Sequence, residues 1–171
     1  MPLKRGEAQE GFVIERPNRQ KASSKATKAI TVLLLLVSAG LVTVITVGGW
    51  EALEGAKALQ IAYIALYLVV AFFIARWSRG LLPVASALAI ILLIFAGVSG
   101  PMWFDRDKIG FNDPALDENI LGLLTFILVP VQLLVVAFAM RGFQQNWNVE
   151  VEKPAHGHDG APQGSGAAQP A

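Results

Sequence analysis

The sequence predicts an all-α integral membrane protein, a bundle of four transmembrane helices with both termini cytoplasmic and disordered polar tails. Three observations predict it. Four runs, 29–49, 58–75, 81–104 and 120–140, contain no Asp, Glu, Lys, Arg or His. Lys and Arg are divided unequally between the segments that flank these runs. The four tryptophans fall at run ends rather than at random. The chain as a whole is 54% hydrophobic and 16% charged, against a usual charged share of about 25%.

A hydrocarbon core about 30 Å thick needs about 20 helical residues at a rise of about 1.5 Å each, and each run is near that length. Backbone in hydrocarbon must satisfy its own hydrogen bonds, so the runs are expected as helices. The first run follows 28 polar residues, too long a leader for an ordinary signal peptide, and is expected to remain as a span. The chain divides into a basic tail over 1–28, a four-helix membrane domain over 29–141, and an interfacial segment with a low-complexity tail over 142–171.

Orientation follows from the cations. Lys4, Arg5, Arg16, Arg19, Lys21, Lys25 and Lys28 precede the first run; Arg76 and Arg79 lie in the second link, and Arg141 and Lys153 follow the fourth run. These eleven fall on one side, against Lys57, Arg106 and Lys108 on the other. The positive-inside rule then puts both termini in the cytoplasm, with the cell membrane as the expected location. Trp50, Trp77, Trp103 and Trp147 are expected in the interfacial aromatic belts.

Local signals mark the helix ends. The link 76–80 is so short that the second and third helices are expected as antiparallel neighbours. Ser78 or Gly80 can cap the third helix, Pro83 fits its first turn, and Pro101 is expected to stop it. Asp113 and Pro114 read as N-cap and first residue of the fourth helix, which would begin about two turns before its apolar run. Pro130 removes a backbone bond to Phe126 and is expected to kink that helix. Phe143 and Trp147 suggest that the helix continues into the interface.

The spans hold only neutral polar groups: Ser38, Thr43 and Thr46 in the first, Gln60, Tyr63 and Tyr67 in the second, Thr125 and Gln132 in the fourth. Tyr67 and Gln132 fall at similar depth and are expected to meet, and Tyr63 is expected to face Thr43 or Thr125. These groups are either glue between helices or the lining of a path for a small permeant or lipid. Ala58 and Ala62, Ala85 and Ala89, and Ala96 and Gly100 fit small-xxx-small contact faces, within the chain or against a partner.

Asp105, Asp107 and Gly110 match positions 1, 3 and 6 of a calcium loop, and Asp113 matches position 9. Ile109 and Leu116 stand where oxygen ligands belong, so these aspartates are weak metal candidates and no metal is expected. His156 and His158 lie in the tail, so no span supplies a histidine to ligate a haem, and the chain has no cysteine. No cofactor is expected, and a net charge of +1 gives no reason to expect a nucleic-acid partner. The sequence favours a structural or accessory component that packs against other membrane proteins or forms homo-oligomers. The alternatives are a small oligomeric transporter or channel and, least favoured, a lipid-modifying enzyme.

Overall fold

The computed structural model describes residues 12–53, 55–106 and 114–154. It contains four long helices: α2 (Ala22–Gly48), α3 (Lys57–Ala75), α4 (Leu81–Phe104) and α5 (Glu118–Gln144). At about 1.5 Å per residue they are about 40, 28, 36 and 40 Å long, and all four are long and apolar enough to cross a membrane. A strand, β1 (Phe12–Glu15), and a short helix, α1 (Pro17–Gln20), precede them, and a second strand, β2 (Val151–Pro154), follows.

The bundle is inverted relative to a water-soluble one. Its outer surface is apolar on every long helix, with Leu33, Val47, Val69, Ile94, Val98 and Leu133 all more than half exposed. Its inner stripe on α2 carries hydroxyls, Ser24, Thr27, Thr31, Ser38 and Thr46. Thr31 and Ser38 each donate to the carbonyl four residues earlier, at 2.8 Å. That local bond satisfies the hydroxyl without any partner helix.

α4 packs most extensively on α5, and α2 packs on both α3 and α5. Small residues explain the α4–α5 contact: Ala85, Ala89, Ala96 and Gly100 are all buried along one face of α4, and small side chains let backbones approach. The matching alanines of α3, Ala58 and Ala62, point outward instead. α3 and α4, joined by the short link, are expected as close neighbours, yet they pack far less extensively than α4 on α5 or α2 on α3 and α5.

Several boundaries differ from expectation. Pro101 does not stop α4, which continues through it to Phe104. The carbonyl that loses its donor belongs to Gly97, so the proline costs one bond and the helix runs on for three more residues. α5 starts at Glu118, capped by Asp117, whose carboxylate accepts the Asn119 N–H at 2.8 Å. Pro114 to Leu116 are not helical, because the Leu116 N–H donates to the Gly48 carbonyl at 3.0 Å. The Leu116 side chain also fills the space a Cβ on Gly48 would need. The expected cap, Asp113, lies outside the described residues. α5 runs unbroken through Pro130.

The tails are ordered close to the bundle, which for 12–28 corrects the expectation of a disordered segment. Residues 1–11 and 155–171, His156 and His158 among them, lie outside the described residues. α2 begins at Ala22, well before its apolar run. β1 and β2 pair antiparallel, with Glu15 opposite Val151 and Val13 opposite Lys153. Arg16 bridges Glu150 at 2.6 Å. Arg19 donates to the Trp147 carbonyl at 3.1 Å and to Asn148 Oδ1 at 2.8 Å. Burial, with the Arg16 charge beside it, lowers the Arg19 guanidinium from its ordinary value, and Glu150 opposes that shift.

Two left-handed residues shape this end. Trp77, at φ 68°, closes α3; its N–H bonds the Ile74 carbonyl while the Ser78 N–H bonds that of Phe73. This is the helix-ending motif that usually carries glycine, and a side chain there costs about 1–2 kcal/mol. Trp77 offsets the cost by packing edge-on to Trp147 with centroids 5.3 Å apart. Lys28 Nζ sits 4.1 Å from the Trp77 centroid. Asn146, at φ 49°, lies just past the end of α5 and precedes Trp147. Trp147 is fully buried and Trp103 is 4% exposed. Both are packed inside the protein and not presented on its outer surface.

Candidate functional site

Two features of the bundle interior carry functional interest: a sealed polar chain at its centre, and a cleft between α3 and α4 at the end away from the strands.

The polar chain links three helices. Tyr67 Oη on α3 donates to Gln132 Oε1 on α5 at 2.7 Å. Gln132 Nε2 donates to Ser38 Oγ on α2 at 2.9 Å. Ser38 then donates to the Leu34 carbonyl at 2.8 Å. Tyr67, Gln132 and Ser38 are each 0% exposed. The structure thus joins the expected pair and adds Ser38 as a third member. A chain in which the amide donates and accepts is worth more than its separate bonds in a low-dielectric interior.

Tyr63 sits one turn from Tyr67 and packs edge-on against it, centroids 6.0 Å apart. It faces the cleft, where Thr125 also stands. Thr125 donates to the Leu121 carbonyl at 2.7 Å. Thr43 does not face Tyr63: it lies on the outer surface and donates to the Ala39 carbonyl at 2.7 Å. The inward stripe of α2 runs through Ser38, Ala39, Val42, Ile45 and Thr46, which leaves position 43 outside it. The local bond removes any need for a partner.

The cleft has a volume of about 310 Å³ and is walled by all four long helices. Its floor is Tyr63, Leu92, Thr125 and Leu128, and its mouth lies between Leu59 of α3 and Phe95, Val98 and Met102 of α4. At its outer end stand Gln60, Ser99, Trp103 and Arg106. Thr46 places its hydroxyl against the Gln60 side chain, tying α2 to α3. Arg106 Nη1 donates to the Ala52 carbonyl at 3.0 Å, and its guanidinium lies 4.8 Å from the Trp103 centroid. Arg106 therefore fastens the end of α4 to the link between α2 and α3.

The cleft exists because α3 is anchored over only part of its length. Its buried residues are Tyr63, Tyr67, Val70, Ala71 and Ile74, none earlier than 63. Sequence reasoning singled out Gln60 and Tyr63 but missed Arg106, Ser99 and the cleft itself. The small residues Ala56, Ala96 and Ser99 facing it were the available signal.

Asp105 ends α4 and is exposed, and Asp107, Gly110 and Asp113 lie outside the described residues. Among the described residues no group of three His, Cys, Asp or Glu gathers in a way that would hold a metal ion. Comparison of the chain with protein-family models, with curated proteins and with solved structures finds no match.

Proposed function

We propose that this chain is a multi-pass integral membrane protein of the cell membrane, with both termini cytoplasmic. Its role is structural or accessory, packing against other membrane proteins. One observation carries the reading: the Tyr67–Gln132–Ser38 chain is sealed at the centre while large apolar side chains are exposed on the outside of every long helix. An exposed apolar surface of this extent is stable in lipid and not in water. The end that holds the strands also carries most of the cations, as the positive-inside rule requires of a cytoplasmic face.

A small transporter or channel lined by the tyrosine–glutamine groups would need those groups to reach an open path, and Tyr67 and Gln132 are both 0% exposed. That weighs toward the accessory role. A lipid-modifying enzyme would draw on the acidic link after α4, and the described residues add nothing to favour it.

Two measurements test the proposal. The chain has no cysteine, so single cysteines report topology directly. With an impermeant maleimide on intact cells, Lys108→Cys is expected to label at once and Lys25→Cys only after permeabilisation; the reverse pattern overturns the orientation. Extraction of the tagged full chain from its native membrane in mild detergent is expected to yield a complex of fixed stoichiometry with another membrane protein. A lone monomer overturns the accessory role.

A further inference from the structure

We infer that the α3–α4 cleft is a binding site for one acyl chain of a zwitterionic phospholipid, drawn from the leaflet at the end away from the termini. The inference rests on the membrane-spanning reading above and adds a ligand to it.

The mouth comes first. Leu59, Phe95, Val98 and Met102 flank it, and they are between 46% and 64% exposed. They belong to the same apolar surface that faces hydrocarbon, so the cleft opens sideways into the bilayer, not into water. What fills it must be soluble in hydrocarbon, since an unfilled apolar cavity forfeits its dispersion contacts.

Length selects among hydrocarbon occupants. On α4 the cleft runs from Leu92 to Trp103, eleven residues or about 16 Å of helix. That is about half of a 30 Å hydrocarbon core, the thickness of one leaflet. Beyond the floor, α3 is closed by Tyr67, Val70, Ala71 and Ile74, all buried. A transmembrane helix of a partner, or of a second copy, needs a groove along its whole span and would find one along half of it. A lipid chain ends where the cleft ends. The volume of about 310 Å³ suits it, because a hydrocarbon chain with carbons packed about 4 Å apart takes about 200 Å³ over that length.

The outer end selects the headgroup. Arg106 sits where a lipid's phosphate would lie, with Gln60 and Ser99 below it. A guanidinium carries its charge at any working pH and attracts phosphate oxygens. The two links at this end, 50–57 and 105–118, carry seven carboxylates against the three cations Lys57, Arg106 and Lys108. This net negative field repels an anionic headgroup as a whole. A headgroup with both a phosphate and an ammonium satisfies both signs: the phosphate on Arg106, the ammonium among carboxylates such as Asp105 and Glu51.

The test uses the full chain in phosphatidylcholine vesicles containing a trace of phosphatidylcholine with a diazirine on its acyl chain. After photolysis, adducts are mapped by peptide mass spectrometry. Adducts are expected to be about fivefold denser on the cleft residues 92–102 than at Leu33 and Leu133, which are equally exposed outside it. Ala96→Phe, which fills the floor side, is expected to abolish the enrichment. Ala56→Phe, from the opposite wall, does the same where the first variant fails to fold. Equal labelling around the whole surface overturns the cleft and leaves the membrane reading standing. No labelling of any apolar face overturns both. An equally strong enrichment with a phosphatidylglycerol probe, or with a free fatty acid probe, overturns the headgroup assignment.

Discussion

The two ends of this bundle are built from the same kinds of helix and pack in opposite ways. At the strand end, Trp77, Trp147, Arg19 and Lys28 interlock and seal the helices together. At the other end α3 and α4 stand apart around a cleft, and Arg106 ties the end of α4 to the link that precedes α3. Linker length does not account for the difference by itself. A short link brings two helix ends together but says nothing about how their far ends diverge. What decides is where the volume sits: Trp77 and Trp147 pack on each other at the strand end, whereas at the other Trp103 stands at the end of the cleft and Ala56, Ala96 and Ser99 leave room beside it.

The largest effect expected from this contrast follows deletion of a buried ring. Trp147→Ala should cost about 3–5 kcal/mol of stability, read as a lowered unfolding midpoint in detergent. Val98→Ala, at the lip of the cleft, should change it by less than about 0.5 kcal/mol. Similar costs at the two ends would abolish the distinction drawn here.

The middle of the bundle gives a smaller effect. Gln132→Leu strands the Tyr67 hydroxyl in a dry interior and is expected to destabilise by about 1–3 kcal/mol. Adding Tyr67→Phe removes the stranded group and should recover part of the loss, with a coupling of about 0.6–2 kcal/mol. Strict additivity of the two substitutions would mean that the bond contributes nothing.

The smallest effect belongs to the ion pair beneath the strands. Arg16 and Glu150 are 40% and 31% exposed, so Glu150→Gln should cost no more than about 1 kcal/mol and less at high salt. It sharpens the comparison by testing whether the aromatic cluster, and not the charge, holds the strand end shut. A large, salt-sensitive loss would reverse that assignment.

Part of the site was legible in the residues. Tyr67 and Gln132 share a depth, and a hydroxyl buried in an apolar bundle needs a partner, so their meeting followed from counting turns. Thr43 shows the limit of that reasoning. A threonine can satisfy itself on the preceding turn, so its presence in a span carries no information about which way it faces. Asp113-Pro114 is a sound helix-start signal that the fold overrides, because the Leu116 N–H bonds the Gly48 carbonyl and holds the chain out of the helix. The strand pairing of 12–15 with 151–154 was hidden for a related reason. Each strand is only four residues long, too short to announce itself, and only the bundle brings the two together.

The sequence by itself determined the four helices, their length and their apolar exterior. Those properties depend on the solvent each residue meets and on backbone bonds made within a few residues. The tertiary structure alone decided which helices pack closely, that Trp103 and Trp147 are core, and that a cleft opens between α3 and α4. Those outcomes depend on how volumes from distant segments fit, and volume complementarity is a property of pairs that no single stretch of chain contains.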